Sequence, residues 1–271
     1  MYALLFIFSE PSSEILQLAA ICGDQKFSCY VLPTSSIREQ ASRITGLTFD
    51  GTILFKRGVP VPAVSLHECL TTFHQWLTAI PKPVLFAHNC RNFDSIILCN
   101  AITKSNFYHL SEYISGYCDT LPMLKENISM KTTSFSLKTL VRNVLGLTYD
   151  AHDAVEDCKY LKKLVEHSSI DAYYLNYTFT VSYIMSIMKQ METKKSNSNS
   201  LLPLITGKVV SKSMLNKISS SGLSMHHLHL AYERNGFDGI YTLFTTCFQG
   251  KVRVTKQKNI ITNVANFLQE R

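Results

Sequence analysis

Although the chain has 8 cysteines, no two of them stand in a C-x-x-C pair. Zinc-ribbon and dithiol redox chemistry are therefore not expected. Cys22, Cys29, Cys69, Cys90, Cys99, Cys118, Cys158 and Cys247 sit mostly among apolar neighbours and read as small buried hydrophobes, which fits a reducing compartment. No apolar run reaches membrane-spanning length; the nearest, 172–188, is broken by Asn176, Thr178, Thr180 and Ser182. The apolar start, Tyr2 to Phe8, has neither a basic flank nor a small-residue cleavage site, so it reads as a strand rather than a signal peptide. There is no internal repeat. Acidic residues are in deficit, 20 against 27 basic ones, giving a net charge of +7. A polyanion such as nucleic acid is the natural partner of that bias. With 46% hydrophobic residues in 271, the chain can build a sizeable core: one large domain, or one domain with an appendage.

Three apolar runs, 2–8, 15–21 and 26–32, are separated by short turn-rich connectors and predict an antiparallel meander. A helix is expected over about 36–43, closed at Thr45-Gly46-Leu47. An amphipathic helix follows over 66–80, with Leu70, Phe73, Trp76, Leu77 and Ile80 on one side, and Pro81 and Pro83 end it. Next come a strand at 84–87, a polar turn, a helix at 95–103, a strand at 114–118 and a helix at 134–145 with Gly146 beyond its end. A further helix runs to about 166. Alternating strands and helices after a meander predict an α/β fold with a mixed sheet. The expected organisation is a domain over 1–170, a long apolar helix within 171–192, a flexible loop over 193–200 (Lys194-Lys195-Ser196-Asn197-Ser198-Asn199-Ser200) and a helical extension over 201–271. Helices are expected there at 211–220, 224–234, 237–248 and 256–269.

Two stretches carry chemistry. His152-Asp153-Ala154-Val155-Glu156-Asp157 reads H-x-A-x-x-D, with Asp157 on an amphipathic helix and His152 at its entry. A carboxylate there can ligate a metal, and a neutral histidine can deprotonate a water. Upstream, Ala87-His88-Asn89-x-x-x-Phe93-Asp94 places Asp94 where a strand ends and a helix opens, a position that faces the ligand crevice of an α/β sheet. Asp94 could equally be an N-cap. Asp119 repeats the geometry at the next strand. Lys251, Arg253, Lys256 and Lys258 form a basic cluster, with Lys208, Lys212 and Lys217 as a second set; both suit phosphate contacts or a solvated helix face. Arg91 and Asn92 could also meet a strand of nucleic acid. His226-His227-x-His229 has poor spacing for tetrahedral zinc, and Cys158 reads as a packed thiol.

Taken together, these pieces resemble the DEDDh 3′-to-5′ exonucleases of the ribonuclease H-like superfamily. His88-Asn89…Phe93-Asp94 looks like the second exonuclease motif and His152-x-Ala154-x-x-Asp157 like the third. Asp119-Thr120-Leu121, Phe135-Ser136-Leu137-x-x-Leu140 and Ala41…Thr45-Gly46-Leu47 match segments between and before them. The resemblance spans about residues 2–168. It implies a ribonuclease H-like, five-stranded mixed sheet flanked by helices, here with a C-terminal helical extension, whose cleft holds two divalent ions, Mg²⁺ or Mn²⁺. It implies catalytic roles for Glu10, Asp94, His152 and Asp157: His152 as general base, and Glu10, Asp94 and Asp157 as metal ligands. It also implies single-stranded DNA or RNA 3′ ends as partners, with His88, Asn89 and Arg91 beside the cleft; Lys251, Arg253, Lys256 and Lys258 join them as nucleic-acid contacts on their charge alone.

One departure bears on activity. The family's first motif is D-x-E, and this chain has Phe8-Ser9-Glu10 there. Phe8 cannot ligate, and Glu14 lies in the following turn. The expectation is a nucleic-acid-binding protein with weak or lost metal-dependent hydrolysis, needing no cofactor if inactive. An active Mg²⁺-dependent exonuclease and a protein-interaction scaffold in nuclear bodies are the alternatives. Lys26-Phe27, Ile114-Ser115-Gly116, Leu121-Pro122 and Ser134-Phe135-x-Leu137-Lys138 are also similar to the exonuclease-like C-terminal region of promyelocytic leukaemia proteins. That similarity implies a nuclear setting, with the cytoplasm as a second one, nuclear-body partners and no membrane.

Overall fold

The structure, a computed structural model, describes residues 2–9, 14–127, 134–168, 174–248 and 250–270, with the backbone alone for 2–9 and 248. The chain begins with β1 (Tyr2–Ser9), β2 (Ile15–Cys22), β3 (Gln25–Val31), α1 (Glu39–Thr45), β4 (Leu47–Phe49), β5 (Leu54–Lys56), β6 (Val59–Pro60), β7 (Ala63–Val64) and α2 (Leu66–Leu77). It continues with β8 (Val84–Ala87), α3 (Asp94–Lys104), α4 (Tyr108–Tyr113), β9 (Gly116–Asp119), α5 (Thr120–Asn127), α6 (Leu137–Leu145) and α7 (Ala154–His167). A 3₁₀ turn at Tyr174–Tyr177 leads to β10 (Thr178–Phe179), α8 (Val181–Ser200), α9 (Leu202–Thr206), α10 (Lys212–Ser220), α11 (Met225–Thr245), β11 (Cys247–Phe248), β12 (Lys251–Val252) and α12 (Lys258–Gln269). Two compact units result, Met1–Met185 and Ser186–Arg271.

In the first unit the sheet order is β10-β9-β8-β1-β2-β3-β7. Its five longer strands form the expected mixed sheet. β1 pairs antiparallel with β2 and parallel with β8, and β8 pairs parallel with β9. The expected five strands become seven because the two-residue β10 and β7 add to the edges. β2, Ile-Leu-Gln-Leu-Ala-Ala-Ile-Cys, is buried nearly end to end, the pattern of a strand covered on both faces. α7 packs on β1, β2 and β3, α3 on β1, and α2 on β3. The apolar face of α2 behaves as its periodicity requires: Leu70, Phe73 and Leu77 are fully buried, and the Phe73 ring lies 5.1 Å from that of Phe27. α1 ends on Gly46 and α6 on Gly146, both left-handed.

Several elements were not expected. The small sheet β4-β5-β6 turns at Asp50-Gly51, where the Asp50 carboxylate accepts the Thr52 and Ile53 N–H groups at 2.8 Å each. Gly116, which opens β9, allows β10 to pair: a Cβ there would lie 2.6 Å from the Phe179 carbonyl oxygen. The long helix expected from 171 starts only at Val181, and 174–179 is a 3₁₀ turn and a strand; residues 169–173 lie outside the described residues.

The loop expected over 193–200 is helical, the last turns of α8. Serine and asparagine are weak helix formers, but tertiary contacts override that preference here. Ser200 Oγ accepts the Met225 N–H at 3.1 Å, and Leu201 and Leu204 are fully buried just beyond. The second unit packs around Leu201, Leu204, Ile218, Leu228, Ile240, Phe244, Ile261 and Val264. The helices expected at 224–234 and 237–248 are the two halves of α11, parted by the non-helical backbone of Asn235 and Gly236, and the second half gives way after Thr245 to the unexpected hairpin β11–β12.

The break brings the Ala231 carbonyl onto Gly239, where a Cβ would run into that oxygen. Gly239→Ala is therefore expected to destabilise the protein by about 3 kcal/mol or to displace the kink. Urea unfolding measures this, and an unchanged midpoint would contradict the tight crossing.

Candidate functional site

The site is built where β8 and β9 end. These strands run side by side with Ala87 opposite Asp119. The Asp119 carboxylate is buried and turns back on the following loop. It accepts N–H groups from Asn89 at 2.9 Å, Arg91 at 3.2 Å and Leu121 at 3.0 Å. This clamp holds Asn89 at φ 62, a left-handed conformation that asparagine tolerates. The loop then closes as Ser95 gives both its N–H (3.1 Å) and its hydroxyl (2.6 Å) to the Cys90 carbonyl. Asp94 is thereby set, 5% exposed, as the first residue of α3. It is not the N-cap: Phe93 holds that position without a side-chain hydrogen bond.

The second half is the entry to α7. Asp153 is the true cap, accepting the Val155 and Glu156 N–H groups. Asp157, one turn into the helix and 3% exposed, faces back to the loop. Its Oδ1 accepts the Tyr149 hydroxyl at 2.7 Å and its Oδ2 the His152 N–H at 3.2 Å. Burial pushes its carboxyl up to about 6, against these two donors. His152 is exposed, at φ 77. Partial desolvation of its ring, with Lys138 and Lys56 adding to it, lowers its pKa, so the imidazole is neutral near pH 7.

Several observations bring the two halves together. α3 and α7 both pack on β1, and the buried Cys158 thiol is raised first by burial and then by Asp157, Asp94 and Asp153. Cys90, on the other side of Asp94, is raised by burial and by Asp119 and Asp94. Asp94 thus lies within electrostatic reach of both groups, and His152 touches Asp157 through its backbone.

Two supports went unread in the sequence. Gln17, 1% exposed and opposite Phe8 in the β1–β2 register, accepts the Ala154 N–H and fixes the start of α7. Its signal was a lone amide in an apolar strand. Lys56 Nζ donates to the Thr45 carbonyl at 2.7 Å and the His152 carbonyl at 3.0 Å, anchoring the motif loop to the small sheet. Arg57 and Asp150 add an exposed ion pair at 2.6 Å.

Other expected residues are placed differently. His88 has no ring nitrogen to spare for a ligand: Nε2 meets the Phe135 carbonyl at 2.7 Å and Nδ1 the Thr120 hydroxyl at 3.2 Å. Burial lowers its pKa, so it is a neutral structural tie. Asn89 accepts from Asn92 at 2.9 Å, and Arg91 is exposed with its guanidinium 5.0 Å from the Phe179 ring centre and 5.6 Å from that of Tyr183. The four basic residues of 251–258 are all exposed in the second unit but do not share one helix. Lys251 is in β12, Arg253 donates to the Ser221 carbonyl, Lys256 is in a loop and Lys258 opens α12. His227 caps α11 with Ser224, which explains its place without zinc. Cys158 is a packed thiol donating to the Ala19 carbonyl.

The described residues do not by themselves make up a two-ion centre. Phe8 stands where the resemblance expects an acid, and Glu10 lies outside the described residues. Among the described residues no three His, Cys, Asp or Glu side chains converge on one point suited to a metal, and both oxygens of Asp157 already accept protein hydrogen bonds. No step is derived through metal ions.

Two consequences can be measured. Because the folded-state pKa of Asp157 lies above its ordinary 3.8, its contribution to stability is full below about pH 4 and is lost as pH rises through about 6. The loss is on the order of 3 kcal/mol. Tyr149→Phe removes a donor to the charged form and should move that midpoint above 6, read by carboxyl ¹³C NMR; a midpoint that stays or falls contradicts this account. Asp119→Ala takes the acceptor from three N–H groups of the loop and should cost about 3 kcal/mol in urea unfolding. A loss below about 0.5 kcal/mol would show that the clamp does not hold the loop.

Comparison with known proteins locates these features. Residues 197–271 match the family described as PML, C-terminal domain. That match lies in the helical extension, downstream of the segments whose sequence resembles promyelocytic leukaemia proteins. No curated protein matches the chain in sequence. Among solved structures, zinc-bound E. coli Exonuclease I with single-stranded DNA superposes with a TM-score of 0.50 and 17% identity, over 81% of this chain and 50% of that one. Another E. coli Exonuclease I complex gives 0.49 and 19%, over 64% and 41%. A 3′-exonuclease on a histone mRNA stem-loop gives 0.48 and 13%, over 64% and 83%. The chain thus spans half or less of Exonuclease I, and the likeness is one of fold. No described helix is long and apolar enough to cross a membrane. The chain therefore has an α/β, exonuclease-like fold, and its C-terminal segment is similar to the PML C-terminal domain.

Proposed function

We propose that the protein binds single-stranded nucleic acid at 3′ ends on an exonuclease-like fold, with metal-dependent hydrolysis weak or absent. The observation that carries this reading is the donor set. The resemblance puts Phe8 where one of the family's acids would stand, and Asp157 is already satisfied by Tyr149 and His152 and holds a proton up to about pH 6. A carboxyl so buried and so basic is a poor ligand for a hard cation.

Binding can outlast catalysis because it asks for different groups. Single strands are held by positive charge beside aromatic faces. Arg91 against Phe179 and Tyr183 offers both, with Phe93, 57% exposed, at the start of α3. Asn89 and Asn92 add amides, and Lys251, Arg253, Lys256 and Lys258 add exposed charge in the second unit. The fold is shared with Exonuclease I, whose structure holds single-stranded DNA.

Active exonuclease is the second reading. It is favoured by the neutral imidazole of His152, the state in which a base can take a proton from water. Asp94, Asp157 and Glu10 would then be its acids, with Mg²⁺ or Mn²⁺. The match of residues 197–271 to the PML C-terminal domain favours a nuclear setting; a scaffold role among nuclear-body proteins is the reading left if nucleic acid is not bound at all.

The test is end-labelled single-stranded DNA and RNA with Mg²⁺ or Mn²⁺, beside Asp157→Ala. The expected result is no shortening, with retention whose log affinity falls with log salt by about 0.7 per phosphate contact. Arg91→Ala should weaken retention several-fold. Shortening abolished by Asp157→Ala would overturn the loss of hydrolysis, and no retention at low salt would overturn nucleic-acid binding.

A further inference from the structure

The second unit has a pocket of its own, with a volume of about 630 Å³, between α8 and the end of α10. Lys189, Lys194 and Asn197 line it from α8, and Ser219, Ser220 and Gly222 from α10 and the turn after it. The α8 residues at 186, 190, 193, 194 and 197 recur at helical spacing and bring polar groups to it, with Ile187 and Met191 as apolar wall between them.

Asn197 is 7% exposed, and among the described residues its Nδ2 is the one buried side-chain nitrogen or oxygen without a hydrogen-bond partner. An amide N–H left so costs about 1–3 kcal/mol, a cost that folded proteins rarely leave standing. The charged groups of the lining are of one sign. No carboxylate lines the pocket, and neither Lys189 nor Lys194 forms an ion pair with a described acid. Ser219 spends its hydroxyl proton on the Asn216 carbonyl, while Ser220 is exposed. The site thus offers two ammonium groups, one buried amide N–H and a hydroxyl, with no negative side chain.

We propose that this pocket is a phosphate-binding site. A phosphate oxygen accepts the Asn197 amide N–H, and Lys189 and Lys194 balance the charge. Phosphate suits this lining better than a carboxylate: it brings up to two charges for the two ammoniums and more acceptor oxygens for donors arriving from two helices. The volume also accommodates a nucleoside attached to the phosphate. The group can come from a free nucleotide or from the backbone of a single strand. This site lies in a different unit from Asp94 and Asp157 and does not rest on the function proposed above.

Titration calorimetry and amide NMR of the full chain test it with three probes: inorganic phosphate, a nucleoside 5′-monophosphate, and an oligothymidylate without terminal phosphates. At least one should bind saturably and shift the signals of 186–197 and 219–222. Asn197→Leu removes the stranded N–H and so keeps the fold, and should weaken binding at least tenfold. The exposed pair Lys189→Ala with Lys194→Ala should weaken it and flatten its salt dependence. Binding of the monophosphate alone assigns a free nucleotide, and competition by the oligothymidylate assigns strand backbone. Absence of saturable binding by all three probes, or unchanged binding in Asn197→Leu, overturns the proposal. Oligothymidylate retention that survives Asn197→Leu and falls in Arg91→Ala belongs to the first unit and leaves the two readings separately judged.

Discussion

The pairing of the Asp157 carboxylate with Tyr149 and with the His152 backbone ties the site together. It closes the loop before α7 onto the helix's own first turn, so that a buried acid is satisfied within its own segment. Everything nearby is set against that knot. Gln17 holds the Ala154 N–H from the sheet side, and Lys56 holds the His152 carbonyl from the small sheet. The Tyr149 ring stacks on that of Tyr160 at 4.3 Å, so the hydroxyl is delivered by a packed side chain rather than a free one. A carboxyl held this way keeps its position whether or not a cation is present.

The Asp119 clamp has the same logic. Both acids accept N–H and O–H donors from the loops they close, Asp119 at the end of β9 and Asp157 in the first turns of α7. Removing either acid leaves its donors unpaired, so each serves as a loop fastener. Their presence in this chain is explained by the loops they hold, without reference to hydrolysis.

Much of this was legible in the sequence, for identifiable reasons. The meander, α2 and α7 follow from apolar period alone, and Gly46 and Gly146 mark helix ends because their φ is positive. Motif spacing put Asp94 and Asp157 at helix starts, but not their burial, which depends on the loops folded over them. What stayed hidden depends on distant partners. His88 looked like a ligand contact, but its two ring nitrogens are taken by Thr120 and Phe135, the latter 47 residues away. The helical state of 193–200 depends on Ser200 meeting Met225. The dispersal of Lys251, Arg253, Lys256 and Lys258 depends on a two-residue hairpin too short to show a period.

The central claim is that the acids of this fold are fastened to the protein rather than offered to metal ions. Titration of Mg²⁺ and Mn²⁺ into the protein at pH 7, read on the Asp157 carboxyl carbon, tests it most directly. The account predicts a carboxyl pKa that stays near 6 and no saturable binding at millimolar ion concentrations. Two ions bound per chain, with the Asp157 pKa driven down toward the ordinary carboxylate range, would contradict it.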